Sequence, residues 1–295
     1  MEQGYIRTIA QNLEQSQSKV IIENIPDFVV DVDTNIPENI EKNKNAYALV
    51  IGNEDYSTKQ KGLSIEQNVD YAINDAQVFV IYCEKIFGIP KEQIKFLKNA
   101  TAAEINQSLA WLNNLSNIEK GNAELTFYYS GHGLPDERTR EAYIIPVDVS
   151  AQNIEFAIKL SDIYSKLTEY PAKKITVFLD ACFSGGARNK SLLASIRPIK
   201  ITSKKEYLKN NIIVFTSSSG EESSAGNNLK KHGFFTYFLL KKLQETKGNV
   251  NYGELSDYII QNVRKETGLI GKIQTPQVII SDDVIEQWKS WKVKD

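Results

Sequence analysis

Cysteine, histidine and methionine are scarce in this sequence. Among 295 residues there are two cysteines, two histidines and one methionine. Two cysteines cannot build a disulfide framework, and the Cys and His spacings match no zinc-ligand pattern, which argues against a disulfide-stapled fold and a structural zinc site. A catalytic Cys–His pair needs only one of each, and its candidates are easily enumerated: Cys83, Cys182, His132 and His232.

Charge imbalance and long apolar runs are also lacking. Lys and Arg total 35 against 37 Asp and Glu, so the net charge of −2 creates no field that would attract nucleic acid or an anionic membrane. No apolar run approaches the roughly 20 residues of a membrane-spanning helix. The opening residues, MEQGYIRTIAQNLEQ, do not have the layout of a secretory signal. These features predict a cytoplasmic protein with neither nucleic acid nor membrane as a partner.

The pattern along the chain changes near residue 46. Residues 1–45 are predicted to form an extension and linker, with a helix from Ile6 to Ser16 and a solvated EKNKN stretch at Glu41 to Asn45. Residues 46–295 alternate short apolar runs with helical periodicity, as in a mostly parallel sheet covered by helices. We therefore expect one α/β domain after the extension.

Six strands and five helices are predicted in this domain. The strands are Ala46–Gly52, Ile94–Leu97, Glu124–Ser130, Tyr143–Val147, Ile175–Asp180 and Ile212–Ser217. The helices are Asn74–Phe87, one opened by a capping box at Thr101 and Glu104, one capped by Ser161, Phe234–Leu243 and Leu255–Lys265.

Two of these strands end in glycine-rich turns that carry a histidine and a cysteine. The first reads FYYSGHG and contains His132, and the second reads VFLDACFSGG and contains Cys182. Ligands bind at the carboxyl ends of strands in open α/β sheets, so both residues are predicted at the functional edge. A thiol needs a base to become a nucleophilic thiolate, and His132 can serve. The N–H groups of Gly133 and Cys182 are candidates for an oxyanion hole.

The order YYSGHG then DACFSGG, with 50 residues from His132 to Cys182, resembles the caspase, metacaspase and bacterial orthocaspase families. The likeness extends over roughly Ala46 to Ile280. It implies a caspase-like three-layer α/β/α sandwich with a mostly parallel sheet of about six strands. It also implies a cysteine endopeptidase in which Cys182 is the nucleophile and His132 the base.

Asp180 indicates which bonds such a peptidase would cut. Animal caspases have Gln at this place in the motif, whereas metacaspases have an aspartate and cleave after Lys or Arg. The resemblance carries the metacaspase pocket onto Asp75 and Asp180, with Ser130 in its wall. Two carboxylates at the base of a cleft favour a Lys or Arg side chain and repel an aspartate. The predicted partners are therefore peptides or proteins with Lys or Arg before the scissile bond.

Calcium binding and activation by cleavage are the remaining expectations. Metacaspases often bind calcium through clustered aspartates, but the corresponding stretch here has a lone Glu155 beside Lys159, so neither calcium nor another cofactor is predicted. The basic segment from Gly185 to Asn211 follows the nucleophile directly. It is predicted to be a loop that gates a zymogen-like enzyme. The cleavage candidates are Arg188, Lys190 and Lys200.

Several alternatives stay open on sequence grounds. Cys83 fits the core face of a helix, and His232 is interpreted as a residue that abuts the following helix. Asp75 and Asp180 could be helix-terminal or turn carboxylates, and the basic loop could be an ordinary solvated charge run. The chain could also be a catalytically silent scaffold. By family analogy alone, it could be an effector of a bacterial stress or antiviral system that a regulatory partner switches on.

Overall fold

The computed structural model describes residues 29–38, 41–183, 208–219, 222 and 224–294. Contacts divide the chain into two units, Met1–Val30 and Asp31–Asp295, and the second contains the fold described below. The helix predicted from Ile6 to Ser16 lies outside the described residues. So do the cleavage candidates Arg188, Lys190 and Lys200.

Eleven strands are present in the described part of the chain. They are β1 Ala46–Gly52, β2 Ile94–Lys98, β3 Glu124–Ser130, β4 Gly133–Pro135, β5 Ala142–Ile144, β6 Ile158–Lys159, β7 Lys174–Asp180, β8 Ile212–Thr216, β9 Gly226–Asn227, β10 His232–Gly233 and β11 Gln277–Ile280. Six of them form the main sheet in the order β11-β8-β7-β3-β1-β2. All pairs in this sheet are parallel except β8 with β11. The prediction of a mostly parallel sheet is confirmed.

Five α-helices in the described residues cover the sheet: α1 Ala72–Lys85, α2 Ala102–Glu119, α3 Leu160–Leu167, α4 Phe234–Thr246 and α5 Tyr252–Leu269. The capping box is confirmed, because the Thr101 hydroxyl accepts the Glu104 N–H and the Glu104 carboxylate accepts the Thr101 N–H. None of the described helices has both the length and the apolar character needed to cross a membrane.

Both faces of the main sheet are buried, which explains its nearly continuous apolar strands. On one face, Leu109 of α2 and Ile163 of α3 pack in the same apolar cluster as Phe127 of β3. On the other face, the Phe79 ring of α1 stacks on Tyr128 with centroids 4.3 Å apart. The fold is therefore a three-layer α/β/α sandwich, as predicted.

Two predictions about individual elements are wrong, and one strand of the main sheet is not predicted. The run Tyr143–Val147 does not join the main sheet; instead Ala142–Ile144 forms a small antiparallel sheet with β4 and β6. Pro146, which has no N–H for a ladder, follows shortly after this strand. The sixth sheet strand is β11, a partly exposed edge segment whose apolar run, Val278–Ile280, has only three residues. Ser161 is not a cap: α3 begins at Leu160, directly after β6, and Lys159 is its N-cap.

Candidate active site

The turns that carry His132 and Cys182 leave the sheet side by side. Their strands, β3 and β7, are neighbours, and Ser130 at the end of β3 pairs with Asp180 at the end of β7. The Gly131 N–H also lies 3.4 Å from the Asp180 carbonyl oxygen. His132 and Cys182 each follow two residues later, so the topology brings the predicted nucleophile and base to one edge of the sheet.

Gly133 shows how closely the two turns approach. A Cβ added at Gly133 would lie 2.8 Å from the Cys182 carbonyl oxygen and 2.5 Å from the Phe183 ring. Carbon atoms do not approach backbone or ring atoms this closely, so any other residue would force the turns apart. The glycine after His132 is therefore required by contact with the cysteine turn.

Buried tyrosines fix the position of His132. Its backbone N–H donates to the Tyr56 hydroxyl at 3.0 Å, and its carbonyl oxygen accepts from the Tyr129 hydroxyl at 2.7 Å and from the Ile145 N–H at 3.0 Å. The Tyr56 ring also packs against the imidazole, with centroids 4.6 Å apart. The backbone of His132 is thus held by hydrogen bonds from several elements.

A backbone carbonyl orients the His132 ring. Nε2 lies 2.7 Å from the carbonyl oxygen of Gln67, which belongs to the 3-10 helix Ile65–Gln67. A carbonyl oxygen only accepts, so Nε2 carries a proton and, in the neutral ring, Nδ1 is left as the proton acceptor. Sequence reasoning missed Gln67, because any residue can supply a backbone carbonyl.

The Cys182 sulfur is covered by backbone at Ser224. Cys182 is 5% exposed, the Ser224 N–H points at the sulfur, and the Ser224 carbonyl oxygen lies 3.8 Å from it. We call Ser217, Ser224 and Ala225 the thiol cover. An N–H donor favours a thiolate, and this backbone lies against the sulfur that a substrate carbonyl would have to reach.

Gln274 holds the thiol cover in place. Its side-chain oxygen accepts the Ala225 N–H at 2.9 Å and its side-chain nitrogen donates to the Ser217 carbonyl at 2.9 Å. The Ser217 hydroxyl hydrogen-bonds to Ser224 and donates to the Ala181 carbonyl at 3.0 Å. Isolated polar residues in loops carry no local sequence signal, so this arrangement was not predicted.

The three residues of the predicted substrate pocket are close together and fully buried. The Ser130 hydroxyl donates to Asp75 Oδ2 at 3.1 Å, and Ser130 is the strand partner of Asp180. Asp180 Oδ2 accepts the Thr236 hydroxyl at 2.7 Å. The strands thus bring Asp75, Ser130 and Asp180 together at the edge that carries His132 and Cys182.

Both pocket aspartates also contact the beginning of helix α4. Asp75 Oδ1 accepts the Gly233 N–H at 3.1 Å, and Asp180 Oδ2 accepts the Thr236 N–H at 3.3 Å. Carboxylates at this position satisfy N–H groups that the helix leaves unbonded and interact favourably with its dipole. The helix-terminal interpretation of these aspartates therefore describes real contacts, and their role in substrate binding is a proposal.

His232 lies between two carboxylates. As expected it abuts α4, since it precedes the N-cap Gly233. Its Nδ1 is 2.8 Å from Asp75 Oδ1 and its Nε2 is 2.8 Å from Asp33 Oδ1. Burial disfavours the charged ring, but hydrogen bonds and charge from Asp33 and Asp75 outweigh it and raise the pKa of His232 to about 9. Cys83 is buried in α1, where burial raises its thiol pKa, in line with a core role.

The charge of His232 predicts how stability depends on pH. Because its folded pKa of about 9 lies above the ordinary 6.5, the stabilisation is complete below pH 6.5 and is lost as the pH rises through 9. At about 1.4 kcal/mol per pKa unit, the loss is at most about 3.5 kcal/mol. The free energy of unfolding of wild type and of His232→Gln can be measured by denaturant unfolding at several pH values. We expect the difference between the two proteins to shrink as the pH rises from 6.5 through 9. A constant difference would contradict the ion pairs.

The fold and the paired turns define a class: an α/β/α protein of the caspase type. The chain belongs to the caspase domain family of peptidases, whose model, Peptidase_C14, matches residues 45–282. Its fold is similar to the crystal structure of protein GSU0716 from Geobacter sulfurreducens, with a TM-score of 0.56 and 16% sequence identity over 80% of this chain and 93% of that chain. At this identity the likeness concerns the fold alone. No curated protein matches the sequence.

Proposed function

We propose that the protein is a cysteine endopeptidase that cleaves after Lys or Arg, with Cys182 and His132 as a catalytic dyad. The observation that carries the proposal is the meeting of the His132 and Cys182 turns at the ends of paired strands, with Gln67 orienting the imidazole. Membership of a cysteine peptidase family supports the reaction class.

The proposed mechanism uses the tautomer that Gln67 imposes. The Gln67 carbonyl accepts the Nε2 proton of His132, so Nδ1 takes the proton from the Cys182 thiol. The thiolate attacks the peptide carbonyl carbon, and the protonated imidazole then donates to the leaving amine as the C–N bond breaks. A water molecule, deprotonated by His132, hydrolyses the acyl-enzyme and restores the thiol.

The register of the small sheet supports a role for the Gly133 N–H in an oxyanion hole. The Ile145 N–H donates to the His132 carbonyl, which makes Gly133 and Ile144 a non-hydrogen-bonded pair. The ladder with β5 therefore does not use the Gly133 N–H. Together with the Cys182 N–H it would stabilise the oxyanion of the tetrahedral intermediate.

Charge near the dyad supports selectivity for a basic substrate residue. Asp75 and Asp180 lie at the strand ends, and Asp33 joins them through His232. Three carboxylates against one imidazolium leave an excess of negative charge. This excess favours a Lys or Arg side chain and disfavours an aspartate.

The buried sulfur supports a regulated, zymogen-like enzyme. The thiol cover must move before a substrate reaches Cys182. We retain cleavage at Arg188, Lys190 or Lys200, or binding of a regulatory protein, as candidate triggers. In the described residues no group of three or more His, Cys, Asp or Glu is arranged to hold a metal ion. Independence from calcium remains a prediction.

A catalytically silent scaffold is the second candidate, and the covered sulfur is the observation that favours it. Labelling with an arginyl chloromethylketone separates the two functions. Alkylation of Cys182 after the protein has been activated supports the peptidase, whereas a thiol that never reacts supports the scaffold.

Fluorogenic peptides that differ only in the residue before the scissile bond test the proposed specificity. We expect peptides with Arg or Lys to be cleaved at least about tenfold faster, in kcat/KM, than the matched Asp peptide, because a substrate carboxylate would face Asp75 and Asp180. Faster cleavage after Asp would contradict the pocket assignment.

A further inference from the structure

A short segment before the family match is attached to α1 and α4. Residues Asp31–Asp33 form a 3-10 helix whose Val32 side chain is fully buried. Tyr82 of α1 donates to the Val32 carbonyl at 2.8 Å. Lys241 of α4 binds the Asp31 carboxylate at 2.9 Å. We call Asp31–Thr34 the clasp segment.

The clasp segment reaches the proposed substrate pocket through one histidine. Asp33 Oδ1 is 2.8 Å from His232 Nε2, and His232 Nδ1 is 2.8 Å from Asp75 Oδ1. Asp75 Oδ2 in turn accepts the Ser130 hydroxyl at 3.1 Å. The chain of hydrogen bonds thus runs from residue 33 to the end of β3, two residues before His132.

Two carboxylates on opposite sides fix the His232 ring. Each accepts one ring N–H, so the ring cannot flip without breaking two charge-assisted hydrogen bonds. Without Asp33, His232 Nε2 keeps only the longer contact with the Asn74 side-chain nitrogen at 3.4 Å, and the ring has less reason to remain charged. The donor that His232 gives to Asp75 would then be less firmly fixed, although the Gly233 N–H and the Ser130 hydroxyl would still contact the carboxylate.

We propose that Asp33 and His232 are positioning residues for the Lys/Arg pocket: Asp33 orients His232, and His232 orients the Asp75 carboxylate that faces the substrate cation. The inference rests on the proposed function. It means that selectivity depends on a residue outside residues 45–282, the part that the family model matches.

Asp31 provides a matched control for Asp33. It lies on the same 3-10 helix and holds Lys241 and the Tyr237 hydroxyl, but its carboxylate makes no hydrogen bond to His232 in the structure. For an Arg peptide we expect Asp33→Asn to raise KM about tenfold over wild type, which is the range typical of residues that orient a binding group. The kcat of this variant should stay within about twofold of the wild-type value. Asp31→Asn should leave KM and kcat within about twofold of wild type. Asp33→Glu, which keeps a carboxylate, should have a KM between those of wild type and Asp33→Asn.

Side-chain NMR of the two histidines provides a readout that does not need turnover. We expect His232 to lose its proton at lower pH in Asp33→Asn than in wild type, and Asp31→Asn to titrate like wild type. His132 serves as the internal reference in each spectrum.

The outcomes separate the inference from the proposed function. If wild type cleaves Arg peptides and Asp33→Asn leaves KM unchanged, or if Asp31→Asn raises KM equally, the inference is overturned and the peptidase stands. If neither wild type nor any variant binds or cleaves Arg peptides, the proposed function fails. The NMR titration of His232 then tests whether Asp33 orients this histidine. A His232 titration altered by Asp33→Asn but not by Asp31→Asn then supports the positioning chain, and an unaltered one overturns it.

Discussion

Replacing Cys182 with alanine is expected to abolish peptide hydrolysis while the protein stays folded. Removal of a catalytic nucleophile typically costs far more than a thousandfold in kcat. The lost sulfur is small and contacts the backbone at Ser224, so we expect a stability loss of only about 1 kcal/mol. Turnover of a fluorogenic Arg peptide and the unfolding transition are the two measurements.

Cys83→Ala is the matched control for this prediction. Cys83 is fully buried in α1, away from the strand ends, so its loss should reduce stability without changing kcat/KM by more than about twofold. Residual hydrolysis in Cys182→Ala close to the wild-type rate would rule out the dyad. Equal losses in both variants would indicate damage to the fold instead.

The second large effect is expected from Asp180→Asn. Removing a desolvated partner of a substrate cation typically costs about 2–5 kcal/mol, so kcat/KM for Arg and Lys peptides should fall by well over tenfold. Asparagine keeps the volume of aspartate and still accepts from the Thr236 hydroxyl, which preserves the contact with helix α4. The measurement is kcat/KM for Arg, Lys and Ala peptides in both proteins.

Asp257→Asn is the control for the loss of one negative charge, since Asp257 is exposed on α5. It should leave the preference for Arg over Ala unchanged. If Asp180→Asn instead slows cleavage of every peptide equally and lowers the melting temperature, its carboxylate acts only at the beginning of α4. The substrate pocket must then lie elsewhere.

Burial decided which elements could be predicted from the sequence. Strands β1 and β3 were predicted with their observed bounds, because every residue of both is buried and each is built mainly of apolar, β-branched and aromatic residues. β11 was missed, since its apolar run, Val278–Ile280, has only three residues and lies at a partly exposed edge of the sheet. Tyr143–Val147 has an apolar run but pairs in the small sheet, and composition alone does not distinguish two sheets.

The candidate site divides in the same way. His132, Cys182 and Gly133 were predictable because strand ends and glycine turns leave local patterns. The carbonyl of Gln67 and the N–H of Ser224 left none, because every residue type has these groups. The contact between Asp33 and His232 spans 199 residues, and only the folded chain brings such positions together.

The position of the dyad within the sheet has a consequence for motion. β3 and β7 are central strands, each paired on both sides, so separating them requires nearly global unfolding. The thiol cover is held by hydrogen bonds from Gln274, within the cover itself, and from Ser217 to the carbonyl oxygens of Leu179 and Ala181. Opening at Ser224 leaves the ladder between β3 and β7 in place, so it needs less free energy than separating those two strands. We therefore expect local opening to expose the Cys182 sulfur while the His132 and Cys182 turns stay side by side.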